Sequence, residues 1–184
     1  MAINHEKGLC WYNDSYKLCF VGIPKNAQTS MRKAFDLDKN KSNYNNLSSK
    51  RKEYTTICVI RNPFHRIISA YLEIITRMNN KPSYNKKKPF YYMKESKDRF
   101  ICFLKDVWDE KWDAHIEPQT FYMSDIKFNK ILIFENIEND IKELCKDLNI
   151  SVNFPHLNKK SKLSKNQVYD YLINDIKLQN KVKK

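Results

Sequence analysis

The chain has 184 residues, 41% apolar and 13% aromatic, with charges of both signs and a formal net charge of +13. This excludes a disordered tail and fits one domain with a real core. The positive charge favours an anionic partner, whether nucleic acid, acidic membrane surface, acidic glycan or polyphosphorylated nucleotide. An A+T-rich coding bias, which raises Lys, Asn and Ile together, accounts for it equally well, so charge alone decides nothing.

Residues 9–12 read as a strand pairing with Leu18–Ile23 across an Asn13–Asp14–Ser15 turn. The turn Pro24–Thr29 follows, then a short helix over Ser30–Leu37. Asp38–Lys52 lacks periodicity and reads as a loop. Thr56–Ile60 is a second buried strand, after which Asn62 and Pro63 supply an N-cap and an N1 proline. The helix they open should run to about Met78, with Ile67, Ile68, Tyr71, Leu72 and Ile75 on its apolar face. Asn79–Lys97 reads as an exposed excursion, 98–108 as a helix, and the stretch to Pro118 as irregular. Lys130–Phe134 reads as a third buried strand, followed by a helix over 138–148. Ser164 and Gln167 form a capping-box pattern for a last helix. This alternation predicts an α/β fold, a parallel sheet covered by helices on both faces.

The five cysteines (Cys10, Cys19, Cys58, Cys102, Cys145) show no CxxC or Cys/His spacing. They read as free thiols in a reducing compartment, with neither disulfides nor a metal. No stretch reaches transmembrane length and residues 1–12 lack a signal-peptide core, so a soluble, cytoplasmic protein is expected.

Two strand–turn–helix segments carry the chemistry. In Pro24-Lys25-Asn26-Ala27-Gln28-Thr29-Ser30, backbone amides, two hydroxyls and a lysine can face an anion at a helix N-terminus. The segment lacks the glycines of GxxxxGK[ST]. Taken alone it favours an ordinary helix entry with a surface lysine. In Arg61-Asn62-Pro63-Phe64-His65-Arg66-Ile67-Ile68-Ser69-Ala70-Tyr71, Arg61 leaves the carboxyl end of a strand, where open α/β sheets place ligands. Ser69 lies about two helical turns beyond Asn62 on the same side, so the pair can grip one phosphate. Arg66 reads as a surface or ion-pair residue and His65 as solvent-facing.

Together these segments resemble the donor-binding motifs of sulfotransferases that use 3′-phosphoadenosine 5′-phosphosulfate (PAPS). The nearest likeness is to Golgi-type carbohydrate sulfotransferases of the HNK-1, chondroitin and dermatan kind and their soluble microbial and viral relatives. The resemblance extends through Asp113-Ala114-His115-Ile116-Glu117-Pro118-Gln119, Ile133–Ile137, Pro155–Ser161 and a last helix with Tyr171 and Asp175. The chain is shorter than the animal members, without their membrane anchor and paired luminal cysteines. Ile116 stands where an aromatic is common.

The resemblance implies a single sulfotransferase domain over 1–184, a three-layer sandwich with a central parallel sheet of the P-loop-NTPase-like kind. It implies PAPS as co-substrate, PAP as product and no metal. Lys25 would stabilise charge on the bridging oxygen, while Asn26, Ala27, Gln28, Thr29 and Ser30 hold the 5′ end. Arg61 and Ser69 would hold the 3′-phosphate, with Lys159, Lys160 and Ser161 closing over it or forming only a solvated run. His115 is the candidate base; the alternative is that it orients a loop. Glu117 is the reserve and Glu73 a weaker one. Gln119 shapes the acceptor site or caps the helix at Pro118. His156 and Asn158 read as loop-fixing, Trp108 and Trp112 as core.

The acceptor would be a hydroxyl, on a glycan, contacted by the excursions at 38–52 and 79–97. Neither a specific nucleic acid partner nor a membrane span is expected, and the compartment would be a host cell's if the source is viral. Rivals are an ATP-dependent kinase, a basic nucleic-acid-binding module using Lys86–Lys88, Tyr84, Tyr91 and Tyr92, and an inactive PAP-binding relative.

Overall fold

The computed structural model describes residues 8–37, 41–80, 88–109, 113–155 and 162–182. In chain order these form β1 (Leu9–Asn13), β2 (Leu18–Val21), α1 (Gln28–Ala34), β3 (Lys41–Asn43), α2 (Ser49–Lys52), β4 (Thr55–Ile60) and α3 (Pro63–Asn80). There follow α4 (Lys97–Asp109), α5 (Gln119–Met123), β5 (Lys130–Ile133), α6 (Ile137–Asp147), α7 (Lys162–Ile173) and α8 (Ile176–Val182). The described residues divide into an α/β unit, within 8–61 and 117–155, and a helical unit, within 62–116 and 162–182.

The α/β unit is built on a five-stranded sheet in the order β3-β1-β2-β4-β5. The strands β2, β4 and β5 are parallel, with Phe20 opposite Ile57 and Val59 opposite Leu132. The first strand pairs antiparallel with both β2 and β3, so the sheet is mixed and the expected all-parallel form holds for its central and β5 side only. The hairpin turn forms because Asn13 Oδ1 accepts from the amides of Ser15 and Tyr16 at 2.9 and 3.1 Å.

Side chains alternate across the sheet. Leu18, Phe20, Ile57, Val59 and Leu132 pack against Met31 and Phe35 on one face, together with Ile137, Ile141 and Leu144 of α6. Cys10, Cys19, Val21 and Cys58 face the other way, toward Leu47, Tyr54 and Tyr122. Both faces of β2 are therefore apolar, which is why it reads as an unbroken hydrophobic run.

Two expectations need correction in this unit. Of the segment read as a loop, 41–52 forms β3, a 3-10 turn and α2, closed by Asn43 and Ser48 side chains that accept from the Asn45 and Arg51 amides. Elements this short carry no hydrophobic period. The strand β5 is not buried on both sides but lies at the sheet edge, with Ile131 44% and Ile133 48% exposed. Asp140 Oδ2 accepts from the Ile133 amide at 2.6 Å, occupying an edge donor.

An ion pair pins α2 to the first hairpin. Arg51 donates from Nε and Nη2 to the two Asp14 oxygens at 3.0 and 2.9 Å, and the Tyr54 hydroxyl donates to Oδ1 at 2.9 Å. These donors hold the Asp14 carboxyl down at about 2. Because its folded value is depressed, its stabilisation is complete above the unfolded value near 3.9 and is lost as pH falls toward 2. Melting temperatures measured between about pH 5 and pH 2 should therefore fall more steeply for the parent chain than for Asp14→Asn.

In the helical unit, α3 opens as its sequence predicts, with Asn62 Oδ1 accepting from the amides of Phe64 and His65. Tyr71, Ile74 and Met78 pack with Phe100, Phe103 and Leu104 of α4 and with Val168 and Leu172 of α7. Phe90 is fully buried and meets Phe103 edge-on, so the far end of the supposed excursion is core; residues 81–87 lie outside the described residues. The last helix is already running at Ser164, since α7 begins at Lys162; the capping-box placement is wrong. Asp175 instead caps α8 by accepting from the Leu178 amide at 3.1 Å. Among the described residues no helix is long and apolar enough to cross a membrane.

Candidate active site

In the α/β unit the first of the two strand–turn–helix segments leaves β2 at Gly22. A Cβ at Gly22 would stand 2.3 Å from Trp11 Cζ3, so only glycine lets the indole lie this close. Lys25 and Ala27 adopt left-handed backbone at φ 71° and 57°, costing roughly 1–2 kcal/mol each. The loop thus takes up, without glycine, a conformation that glycine usually supplies. The first helical bond of α1 runs from the Met31 amide to the Ala27 carbonyl. The amides of residues 28–30 precede it and have no intrahelical acceptor. Thr29 is exposed and Ser30 buried.

Asn26 is fully buried. Its Nδ2 donates to the Val59 carbonyl at 2.8 Å and to Gln119 Oε1 at 2.5 Å. Gln119 in turn forms a two-point amide–peptide pair with Arg61: its Oε1 accepts from the Arg61 amide at 2.9 Å and its Nε2 donates to the Arg61 carbonyl at 2.8 Å. One side chain therefore ties the loop after β2 to the end of β4. Gln119→Ala should lower unfolding free energy by about 2–3 kcal/mol, since it strands buried peptide and amide groups. Urea unfolding measures this, and Gln119→Glu, which keeps the acceptor but loses the donor, should fall between.

The Arg61 guanidinium lies against this loop. Nη1 donates to the Lys25 carbonyl at 3.1 Å, and the cation sits 4.2 Å from the centre of the Phe134 ring. Burial pulls Arg61 below the ordinary arginine range, and Glu135 opposes the shift. Its buried Nε has no hydrogen-bond partner among the described residues, and neither does Asn26 Oδ1. A cation held half out of water with a spare donor suits an incoming anion.

In the helical unit Ser69 lies buried on α3. Arg66 is 5% exposed, which removes the surface half of its surface-or-ion-pair reading. His65 is half-buried, its ring 5.1 Å from that of Tyr169, so it does not simply face solvent. About two turns beyond Ser69, Arg77 Nε donates to Glu73 Oε1 at 3.2 Å. The same guanidinium reaches Asp113 Oδ2 at 3.5 Å, and its Nη2 lies beside both ring nitrogens of His115, 3.3 Å from Nδ1 and 2.7 Å from Nε2.

Asp113 accepts twice from His115, from its amide at 2.8 Å and from Nδ1 at 2.5 Å. Chemistry fixes the tautomer. A carboxylate only accepts, so Nδ1 carries the proton toward Asp113, while Arg77 Nη2 lies over the ring, 3.3 Å from Nδ1 and 2.7 Å from Nε2. The DxH spacing makes this possible, because a carboxylate two residues earlier reaches both the amide and the near ring nitrogen. His115 is thus an imidazole held at Nδ1 by a carboxylate, an orientation that suits a general base.

Lys25, Asn26, Ala27, Gln28, Thr29, Ser30 and Arg61 are together in the α/β unit, which also holds Glu117, 6% exposed, and Gln119. Ser69, Glu73 and His115 belong to the helical unit. Trp112, His156, Asn158, Lys159, Lys160 and Ser161 lie outside the described residues. Sequence reasoning missed the roles of Asp113, Arg77 and the Gln119 clamp; the Glu73–Arg77 spacing of four on a helix was the available signal.

Among the described residues no group of three metal-ligating side chains is assembled. No curated protein and no solved structure matches the chain. A family model described as the sulfotransferase family matches residues 9–183. A five-stranded sheet with parallel central strands and flanking helices agrees with that match, and the chain belongs to the sulfotransferase family.

Proposed function

We propose that the chain, as a single sulfotransferase domain over 1–184, moves a sulfuryl group from PAPS to a hydroxyl of a carbohydrate and releases PAP. The observation that carries this reading is the bond from Arg61 Nη1 to the Lys25 carbonyl. It makes the loop after β2 and the end of β4 one hydrogen-bonded piece, as a donor with phosphates at two places requires. The resemblance gives the roles. Lys25 meets the phosphosulfate, Asn26 to Ser30 hold the 5′ end, and Arg61 with Ser69 takes the 3′-phosphate. Lys159, Lys160 and Ser161 close over it.

Transfer is an in-line displacement at sulfur. The acceptor oxygen forms the new O–S bond, the bond from sulfur to the bridging oxygen breaks, and its electron pair leaves on PAP beside Lys25. The acceptor proton passes to His115 Nε2, and Asp113 stabilises the imidazolium that results.

The test is label transfer from PAPS to a panel of neutral and acidic oligosaccharides and of phenols. Labelled oligosaccharide is the expected product. Transfer to phenols alone would remove the carbohydrate assignment, and no transfer by a chain that binds PAP would mark an inactive relative.

A further inference from the structure

The proposed grip on a 3′-phosphate depends on the Arg61 cation, and an aromatic ring braces it where an acid could have stood. Gln119 fixes the Arg61 main chain at both its amide and its carbonyl. The guanidinium meets one neutral acceptor, the Lys25 carbonyl at 3.1 Å, and one aromatic ring, that of Phe134 at 4.2 Å. Glu135 acts on it only through its charge at a distance. Phe134 opens a 3-10 turn, Phe134–Asn136, directly after β5 and packs against the core cluster of Leu132, Ile137 and Ile141. Core packing therefore holds the ring that the cation meets.

We propose that Phe134 is a positioning residue for the donor's 3′-phosphate, acting through Arg61. An arginine side chain loses much rotamer freedom when it is fixed, and a brace that fixes it beforehand spares the ligand that cost. A carboxylate brace would also fix it, but would occupy the donors that a phosphate needs and cancel the charge that attracts it. An aromatic ring attracts the cation through its quadrupole and carries no net charge to set against it. The guanidinium is thus held with its charge intact and with Nε still lacking an acceptor among the described residues. The inference rests on the proposed binding of PAP with its 3′-phosphate at Arg61.

Calorimetric titration of the full chain with PAP and with AMP tests it, because only PAP carries the group that Arg61 receives. Phe134→Leu should weaken PAP binding about tenfold, the value of one partly desolvated cation–π contact, and leave AMP affinity unchanged. Phe134→Tyr keeps a ring beside the cation and should restore most of the loss. In an Arg61→Ala background Phe134→Leu should change PAP affinity no further, since the brace then has nothing to hold. Phe134→Met, which fills a similar volume without a ring, carries the same test if Phe134→Leu does not fold.

A parent chain that prefers PAP to AMP, with the whole preference kept in Phe134→Leu, would overturn the positioning role and leave the donor reading standing. Equal losses of PAP and AMP affinity, or a loss that persists in the Arg61→Ala background, would overturn it too, since either marks a merely structural ring. A parent chain that binds PAP no better than AMP would overturn both, and there the donor reading itself fails.

Discussion

Lys25→Ala is expected to lower kcat for sulfuryl transfer by about 10²–10³-fold, as for other single donors aimed at developing charge. PAP affinity should change far less. The asymmetry follows from when the charge appears. The bridging oxygen gains its negative charge only as the bond to sulfur breaks, so a cation placed there stabilises the transition state more than the ground state. The backbone does not confound this test. Residue 25 is left-handed at φ 71°, and Ala27 adopts the same region at φ 57° two residues later. The Lys25 carbonyl that accepts from Arg61 belongs to the main chain and survives the substitution. Near-normal turnover in Lys25→Ala would remove the lysine from the mechanism; parallel losses in kcat and PAP affinity would reduce it to a binding residue.

His115→Ala should cost about 10²–10⁴-fold in kcat, the range for removal of a positioned general base, with PAP affinity preserved. Its companion Asp113→Asn should also lower kcat, because an amide can donate to Nδ1 and so favour the tautomer with its proton on the wrong nitrogen. Glu117→Gln separates the two candidate bases. Glu117 is buried at 6% exposure, whereas His115 is one-fifth exposed and oriented at Nδ1 by Asp113. The expected order is a severe loss in His115→Ala and a smaller one in Glu117→Gln. The reverse order would transfer the role to Glu117.

How much of this was legible in the sequence depends on the range of the interaction concerned. The strands β2 and β4 announce themselves because both faces are buried. The opening of α3 announces itself because Asn62 and Pro63 act on their immediate neighbours. The strand β5 has the same apolar composition, yet Ile131 and Ile133 are half-exposed. Composition does not distinguish an edge strand from a central one. The clamp of Gln119 on Arg61 and Asn26 spans 58 and 93 residues of chain, and no local rule can place it. The burial of Arg66 escapes the sequence for a related reason: a helical arginine is buried or exposed according to what packs above it, which periodicity does not record.

The central claim is that the chain holds a nucleotide by a 3′-phosphate as well as by its 5′ end. Calorimetric titration with PAP at moderate salt tests it most directly, with AMP, ATP and a short oligonucleotide as comparators and Arg61→Ala as the variant. The account predicts binding of PAP that AMP does not match and that Arg61→Ala loses by about 10–100-fold, the value of hydrogen bonds to a charged group. Equal affinity for PAP and AMP, or weak salt-sensitive binding of every anion that Arg61→Ala leaves unchanged, would contradict it.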